Sequence, residues 1–291
     1  MVEDVLYQAL LNTDTLSKAL TKYDNRPAVF YADAANGSDD KWGEKQYPRC
    51  VYVIDWSNDA ERKRSGILAI DIFCLNEAPE DIGEKLMAEI SGAFMTDNGQ
   101  TYSIIWSKMD QFEVEGSEPR VTGVTVYFDV VAFPVQETTT PDPVLSTMAW
   151  VKERQPQMHV IGVDDAEVFW KPTDAHPACY VRMSGETSAV RPTWTCVWLR
   201  ANVILHVICP DVAERMAWVK CLSNDLALEG EIVTDDGSPM FIKSVTVDSG
   251  ANPITTGQLT FVGEYGVLRK VEKVDKLEHV YLGGVKVGKK E

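Results

Sequence analysis

The stretches GILAIDIFC, from Gly66 to Cys74, and RANVILHVIC, from Arg200 to Cys209, decide the fold. Each is a run of aliphatic and β-branched residues that closes on a cysteine, the composition of a buried strand. Each leads into a segment opened by proline and carboxylates: PEDIGEKLMAEISGAF from Pro79 and PDVAERMAWVKCLSNDL from Pro210. Proline in a first turn, with acids where the helix dipole favours them, reads as a helix start in both places. Within the helices Glu84-Lys85-Leu86-Met87 lines up with Glu214-Arg215-Met216-Ala217.

Working outward, the likeness continues on both sides. Upstream, YPRCVYV (Tyr47 to Val53) and HPACYVR (His176 to Arg182) each open a strand with Pro and Cys. Downstream come the turns TDNG (Thr96 to Gly99) and TDDG (Thr234 to Gly237), each followed by a β-rich run. The last strands open with PRVTGVTVYFDVV and PITTGQLTFVGEY, where Pro119 and Thr122-Gly123 match Pro253 and Thr256-Gly257 at one offset. Five landmarks in one order are the signature of an internal duplication.

Between the halves lies PVQETTTPDPV, Pro134 to Val144, whose prolines and threonines predict an extended tether. Each half is expected to begin with a helix. The first, DVLYQALLNTDTLSKALTKYD, places Leu6, Leu10 and Leu20 on one face, and the second, LSTMAWVKERQ, places Leu145, Met148 and Val151 together. The expected architecture is therefore α+β, with two similar domains at 1–134 and 145–269 and a linker at 135–144. Each domain would be an antiparallel or mixed β-sheet with two helices packed on one face. Residues 270–291, with six lysines against four acids and no counterpart after the first half, are expected to be an arm laid on a neighbour or a polar tail.

Composition bounds the function. At 291 residues, 45% hydrophobic and 25% charged, the chain can bury two ordinary cores. A net charge of -16 repels phosphate backbones and anionic lipid, which argues against a dedicated nucleic-acid binder. No run of 18 apolar residues occurs, and MVEDVLYQALL carries acids where a secretory signal carries Lys or Arg, so cytosolic assembly is expected. Cys50, Cys74, Cys179, Cys196, Cys209 and Cys221 lie among apolar residues without a CxxC pair, which predicts reduced, buried thiols.

Tests for chemistry return no site. GxSxG, HExxH and GxGxxG are absent, and of the four histidines His159, His176 and His206 lie in the second half and His279 in the C-terminal stretch, so no histidine site is common to both halves. Gly283, Gly288 and Lys289 fit GxxxxGK, but Lys290 stands where a P-loop needs Ser or Thr. His176-x2-Cys179 and His206-x2-Cys209 have zinc-ligand spacing, yet positions i and i+3 of a strand point to opposite faces. Asp39-Asp40, Asp164-Asp165 and Asp235-Asp236 read as solvated turn acids, and Trp194, Trp198 and Trp218 as core or interface aromatics.

The repeated unit resembles the tail terminator, or tail completion, proteins of long-tailed bacteriophages. The likeness is carried by Tyr47 to Val53, Gly66 to Cys74, Pro79 to Phe94 and Pro119 to Val131 in the first half. In the second half His176 to Arg182, Arg200 to Cys209, Pro210 to Leu226 and Pro253 to Glu264 carry it. It covers most of both halves but rests on element order and hydrophobic pattern, without one diagnostic motif. The resemblance implies a non-enzymatic virion protein, with no catalytic residues, metal or cofactor. It implies a ring that caps the tail tube and meets the head-side connector, with genomic DNA passing through the lumen and no membrane contact. The usual family member has one domain per subunit and six subunits per ring. A double chain would give a trimeric pseudo-hexamer, or a hexamer with the second domain outside. Another tail, baseplate or connector subunit is the nearest alternative, and a cytosolic two-domain ligand-binding protein or enzyme a more distant one.

Overall fold

The structure is a computed structural model that describes residues 1–43, 45–59, 62–75, 78–136, 139–164, 167–189, 193, 195–269, 280–282 and 285–287. It is mixed α+β, with about 44% strand and 23% helix, so curled sheets rather than helices set its architecture. The helices are α1 (Val2–Asn12), α2 (Asp14–Ala19), α3 (Glu80–Ile90), α4 (Pro143–Arg154) and α5 (Val212–Glu229). The strands of the first half are β1 (Lys22–Tyr23), β2 (Arg26–Pro27), β3 (Val29–Tyr31), β4 (Arg49–Asp59), β5 (Lys63–Leu75), β6 (Ala93–Asp97), β7 (Gln100–Glu113) and β8 (Val121–Phe133). Those of the second are β9 (His159–Val160), β10 (Phe169–Trp170), β11 (Ala178–Ser188), β12 (Cys196–Ile208), β13 (Glu231–Val233), β14 (Pro239–Val247) and β15 (Leu259–Leu268). A separate hairpin pairs β16 (Val280–Leu282) with β17 (Val285–Val287), and the rest of 270–291 lies outside the described residues.

Alternation of side chains builds the sheets. In β4 Cys50, Tyr52 and Ile54 are buried between Val51, Val53 and Asp55, and in β5 Leu68, Ile70, Ile72 and Cys74 alternate with more exposed residues. Strand order in the first sheet is β10-β6-β7-β8-β5-β4-β3 and in the second β13-β14-β15-β12-β11-β9. Apart from β10, the two orders are the same when strands are matched by position in each half. The match extends to direction: β3 runs parallel to β4 and β9 parallel to β11, while the other pairs in each sheet are antiparallel.

Helices cover one face of each sheet. Leu6, Leu10, Leu86 and Ile90 share a core with the inward residues of β4, β5 and β8, and Val144, Val151, Leu222 and Leu226 do the same against β11, β12 and β15. The first sheet carries three helices where two were expected, because the N-terminal helix breaks at Thr13. There the Thr13 hydroxyl accepts from Leu16 N–H, and the Glu89 carboxylate accepts from the amides of Asp14 and Thr15 at 2.6 and 3.0 Å. From Lys22 the expected helix gives way to the β1–β2 hairpin.

Helix α4 corrects two further expectations. Of the predicted stripe Met148 and Val151 are buried, whereas Leu145 is exposed and Val144 takes its place in the core. The stretch read as tether ends inside the helix: Pro143 is its first residue, and Asp142 caps it by accepting from Val144 and Leu145 N–H at 2.8 and 3.0 Å. Asp142 is buried, so Asp142→Ala is expected to lower stability by about 1–2 kcal/mol, read as a shift in the urea midpoint. An unchanged midpoint would remove this cap from the account. In the second helix of each half proline stands earlier than predicted, Pro79 being the N-cap of α3 and Pro210 preceding Asp211, the N-cap of α5.

Candidate functional site

The residues of each sheet that point away from the helices form a second face, and these two faces meet at one end. The contact is a separate apolar cluster of Phe94 and Phe133 from the first half with Ile161, Ala178, Tyr180, Ile208 and Ile254 from the second. The chain ties it further by β10, which leaves the second half to pair with β6, Phe169 opposite Met95 and Trp170 opposite Phe94. Tyr180 O–H donates to Pro134 O at 2.7 Å, anchoring the start of the inter-half connection.

Arg62 and the His206–Arg182 pair complete the junction. Arg62, at the tip of the β4–β5 hairpin and only 4% exposed, donates to Ala132 O at 3.3 Å, Ile254 O at 2.5 Å and Thr255 O at 3.4 Å. Its guanidinium lies 5.0 Å from the Phe133 ring and 5.2 Å from that of Tyr180. Also beside Tyr180, buried His206 holds Nδ1 2.8 Å from Pro253 O, and its Nε2 accepts from Arg182 Nε at 3.1 Å. These partners fix the neutral tautomer with its proton on Nδ1.

Burial pushes His206 down to about 3, assisted by the charges of Arg62 and Arg182 and opposed by the Pro253 carbonyl. Unfolded histidine protonates near about 6.5. Between those values the unfolded state binds a proton that the folded state refuses, so stability is intact above about pH 6.5 and falls as the pH drops toward 3. A loss of about 2 kcal/mol from this group is expected at pH 5. Unfolding free energies of the wild type and His206→Asn at pH 7 and pH 5 test it: the variant should lack this part of the acid loss, and equal losses would contradict the assignment.

The junction was not visible as a site in the sequence. Arg62 belongs to the run Arg62-Lys63-Arg64, which reads as a solvated charge cluster, and nothing local marks one member as buried. The residues that were singled out are dispersed. Cys50, Cys74, Cys179 and Cys209 are buried, Cys196 and Cys221 half-buried, and desolvation raises Cys179 to about 12 and Cys209 to about 11, which disfavours thiolate chemistry. His176 is exposed in a loop while Cys179 faces the second core, and no cluster of metal-ligating residues occurs among the described residues.

The acidic pairs have structural partners. Asp39 accepts from Tyr23 O–H at 2.7 Å, Asp164 pairs with Lys152 at 2.9 Å, and Asp235 accepts from Asp142 N–H at 2.7 Å. Trp198 sits on β12 near Phe241, whereas Trp218 lies in α5 and donates to Asp174 O at 2.9 Å, so they form no shared platform. Asp165, Trp194, His279 and the P-loop-like Gly283, Gly288, Lys289 and Lys290 lie outside the described residues. No family model matches the chain, and no curated protein is similar to it.

Beyond the junction the helix-free faces are open. On the first sheet Val53 and Ile67 are 42% and 49% exposed, beside Asp55 and Asp129, and the Asp71 carboxylate accepts from Thr125 O–H at 2.6 Å. On the second, Glu264 pairs with Lys243 and Arg200, each at 2.8 Å, and these partners hold its carboxyl below the usual range. A cavity of about 650 Å³ is lined by Lys152, His159, Trp170, Lys171 and His176. Its walls come from the second half alone. No described helix is long and apolar enough to cross a membrane.

Proposed function

We propose that the chain is a structural virion protein of the tail-terminator type, built of two copies of one domain. The domains would occupy 1–134 and 145–269, each a sheet with its helices on one face. It would form a trimeric pseudo-hexamer or a hexamer that caps the tail tube, meets the head-tail connector and lets genomic DNA pass. The observation that carries the reading is the common strand order and direction of the two sheets, which agrees with the duplication that the sequence landmarks suggest.

Two features support the ring over a catalytic role. Each sheet keeps one helix-free face available for a lumen or a partner, and the first bears Asp55 and Asp129 in exposed positions. A lumen of that sign repels phosphate and keeps the duplex from sticking. The nearest alternative, a tube, baseplate or connector subunit, shares the same architecture and differs in whether assembly stops at one ring. A ligand-binding protein with its site between the copies is the more distant reading; a pocket of about 570 Å³ does take its walls from both halves, Val5, Gln8 and Glu89 with Val168 and Phe169, and a ligand-induced rise in Tm would favour that reading. Assembly would take place in the host cytoplasm and end in the tail or neck of the particle.

The test is genetic. Particles made without this chain should carry tails of unregulated length that fail to join heads, whereas normal infectious tails would overturn the assignment.

A further inference from the structure

The junction inside the chain is a worked example of how one half docks on another, and the second half carries the same dock unused. In the first half β6 follows α3 through Gly92, and its outer edge is paired by β10. Thr96 N–H donates to Val168 O at 3.0 Å, and Trp170 stacks on Phe94 at 4.8 Å. Phe169 packs against the first core beside α1. In the second half β13 holds the same place: it follows α5 through Gly230 and ends the sheet. Gly92 and Gly230 both adopt left-handed backbone, at φ 79° and 72°, so the chain turns from helix to edge strand in the same way.

Among the described residues nothing pairs on the outer edge of β13. Val233 on that edge is 65% exposed, and a groove of about 410 Å³ runs between it and α4, lined by Ala149, Trp150, Glu153, Glu231 and Ile232. An exposed edge beside a groove of mixed polar and apolar lining is a template for strand addition. We propose that the groove is filled by a second copy of this chain, which adds the connection between its β3 and β4 as a strand on β13.

The first half's own layout names that occupant. β10 lies in the connection between β9 and β11, and its counterpart is the connection between β3 and β4, residues 32–48. Trp42 stands six residues ahead of Pro48 there, much as Trp170 stands seven ahead of Pro177. Lys41 and Lys45 on this connection are exposed and complement Glu153 and Glu231 at the groove. Trp42 bridges Tyr23 and packs on the Tyr23 and Phe30 rings, and its backbone N–H donates to Asp39 O at 3.4 Å, so adding this segment to β13 exchanges that long bond for one to the edge strand. Repeating the contact from copy to copy is head-to-tail, and such contacts close into rings when the rotation permits. The inference rests on the ring reading above for closure alone; its geometry comes from the contact within the chain.

The experiment uses the full chain. Lys41→Cys with Val233→Cys, under mild oxidation, should give a ladder of disulfide-linked multimers, with none from either single variant. Val233→Lys, an exposed change that leaves both cores intact, should raise the concentration needed for assembly by roughly tenfold or more, read by native mass. An assembled protein that gives no ladder and tolerates Val233→Lys would overturn this contact while leaving the ring reading standing. A wild type that stays monomeric at every concentration would overturn both. Should removal of residues 270–291 alone dissolve the assembly while Val233→Lys does nothing, the C-terminal segment is the occupant and the proposal fails.

Discussion

Replacing Arg62 by alanine should lower the stability of the chain by about 3–5 kcal/mol. The side chain is 4% exposed and donates to three backbone carbonyls, one from the first half and two from the second. Removing a charged donor leaves buried acceptors unmet, at about 1–3 kcal/mol each before water relieves some of the loss. The guanidinium also packs on Phe133 and Tyr180, and cation–π contacts of this kind contribute about 0.5–2 kcal/mol. Arg62→Lys keeps the charge but loses the planar fork, so it should recover less than half of the loss. Because Arg62 holds the two halves together, its removal should also split a single urea transition into two. A stability loss under about 1 kcal/mol for Arg62→Ala, with one transition retained, would contradict the role given to this side chain.

Gly257→Ala is expected to cost about 2–4 kcal/mol for two separable reasons. The residue has φ +83°, a conformation that an L side chain adopts at a cost of about 1 kcal/mol. A methyl group there would also stand 2.5 Å from Ile204 Cγ2 and 3.0 Å from the His206 ring, and overpacking of that kind costs about 1–3 kcal/mol. Gly116 provides the control. It has φ +73° with nothing within 4 Å of an added methyl, so Gly116→Ala should show the backbone cost alone, about 1 kcal/mol. Equal losses at the two positions would mean that the crowding beside His206 carries no energy.

Gly257 also marks how far the sequence could be read. Thr122-Gly123 and Thr256-Gly257 align as landmarks, yet the glycines serve different ends. Gly123 lies in extended β8, with the Phe112 ring against the place a Cβ would take, and Gly257 makes a left-handed turn before β15. Likeness in a pattern therefore located the strands without giving the reason for each residue. The central strands and α3 and α5 were legible because alternation and helical spacing are local. The break at Thr13 was not, since half of its capping comes from Glu89, far away in the chain. The start of α4 could have been found, because Asp142 before Pro143 is a cap followed by a first-turn proline.

The candidate surfaces were less legible for a related reason. β10 is two residues long and exists because β6 offers it an edge, so no periodicity announces it. His206 looked like an ordinary histidine, and only its packing beside Tyr180 and Arg182 reveals the depressed basicity. The resemblance to tail terminators came from element order, and element order says nothing of which edge stays open.

The central claim is that the chain acts by closing a ring, and one measurement meets it directly: negative-stain imaging of the purified full chain together with its native mass. The account predicts one closed ring of three or six chains with a hole wide enough for duplex DNA. A compact monomer or dimer at all concentrations, or an open filament that grows without limit, would contradict it.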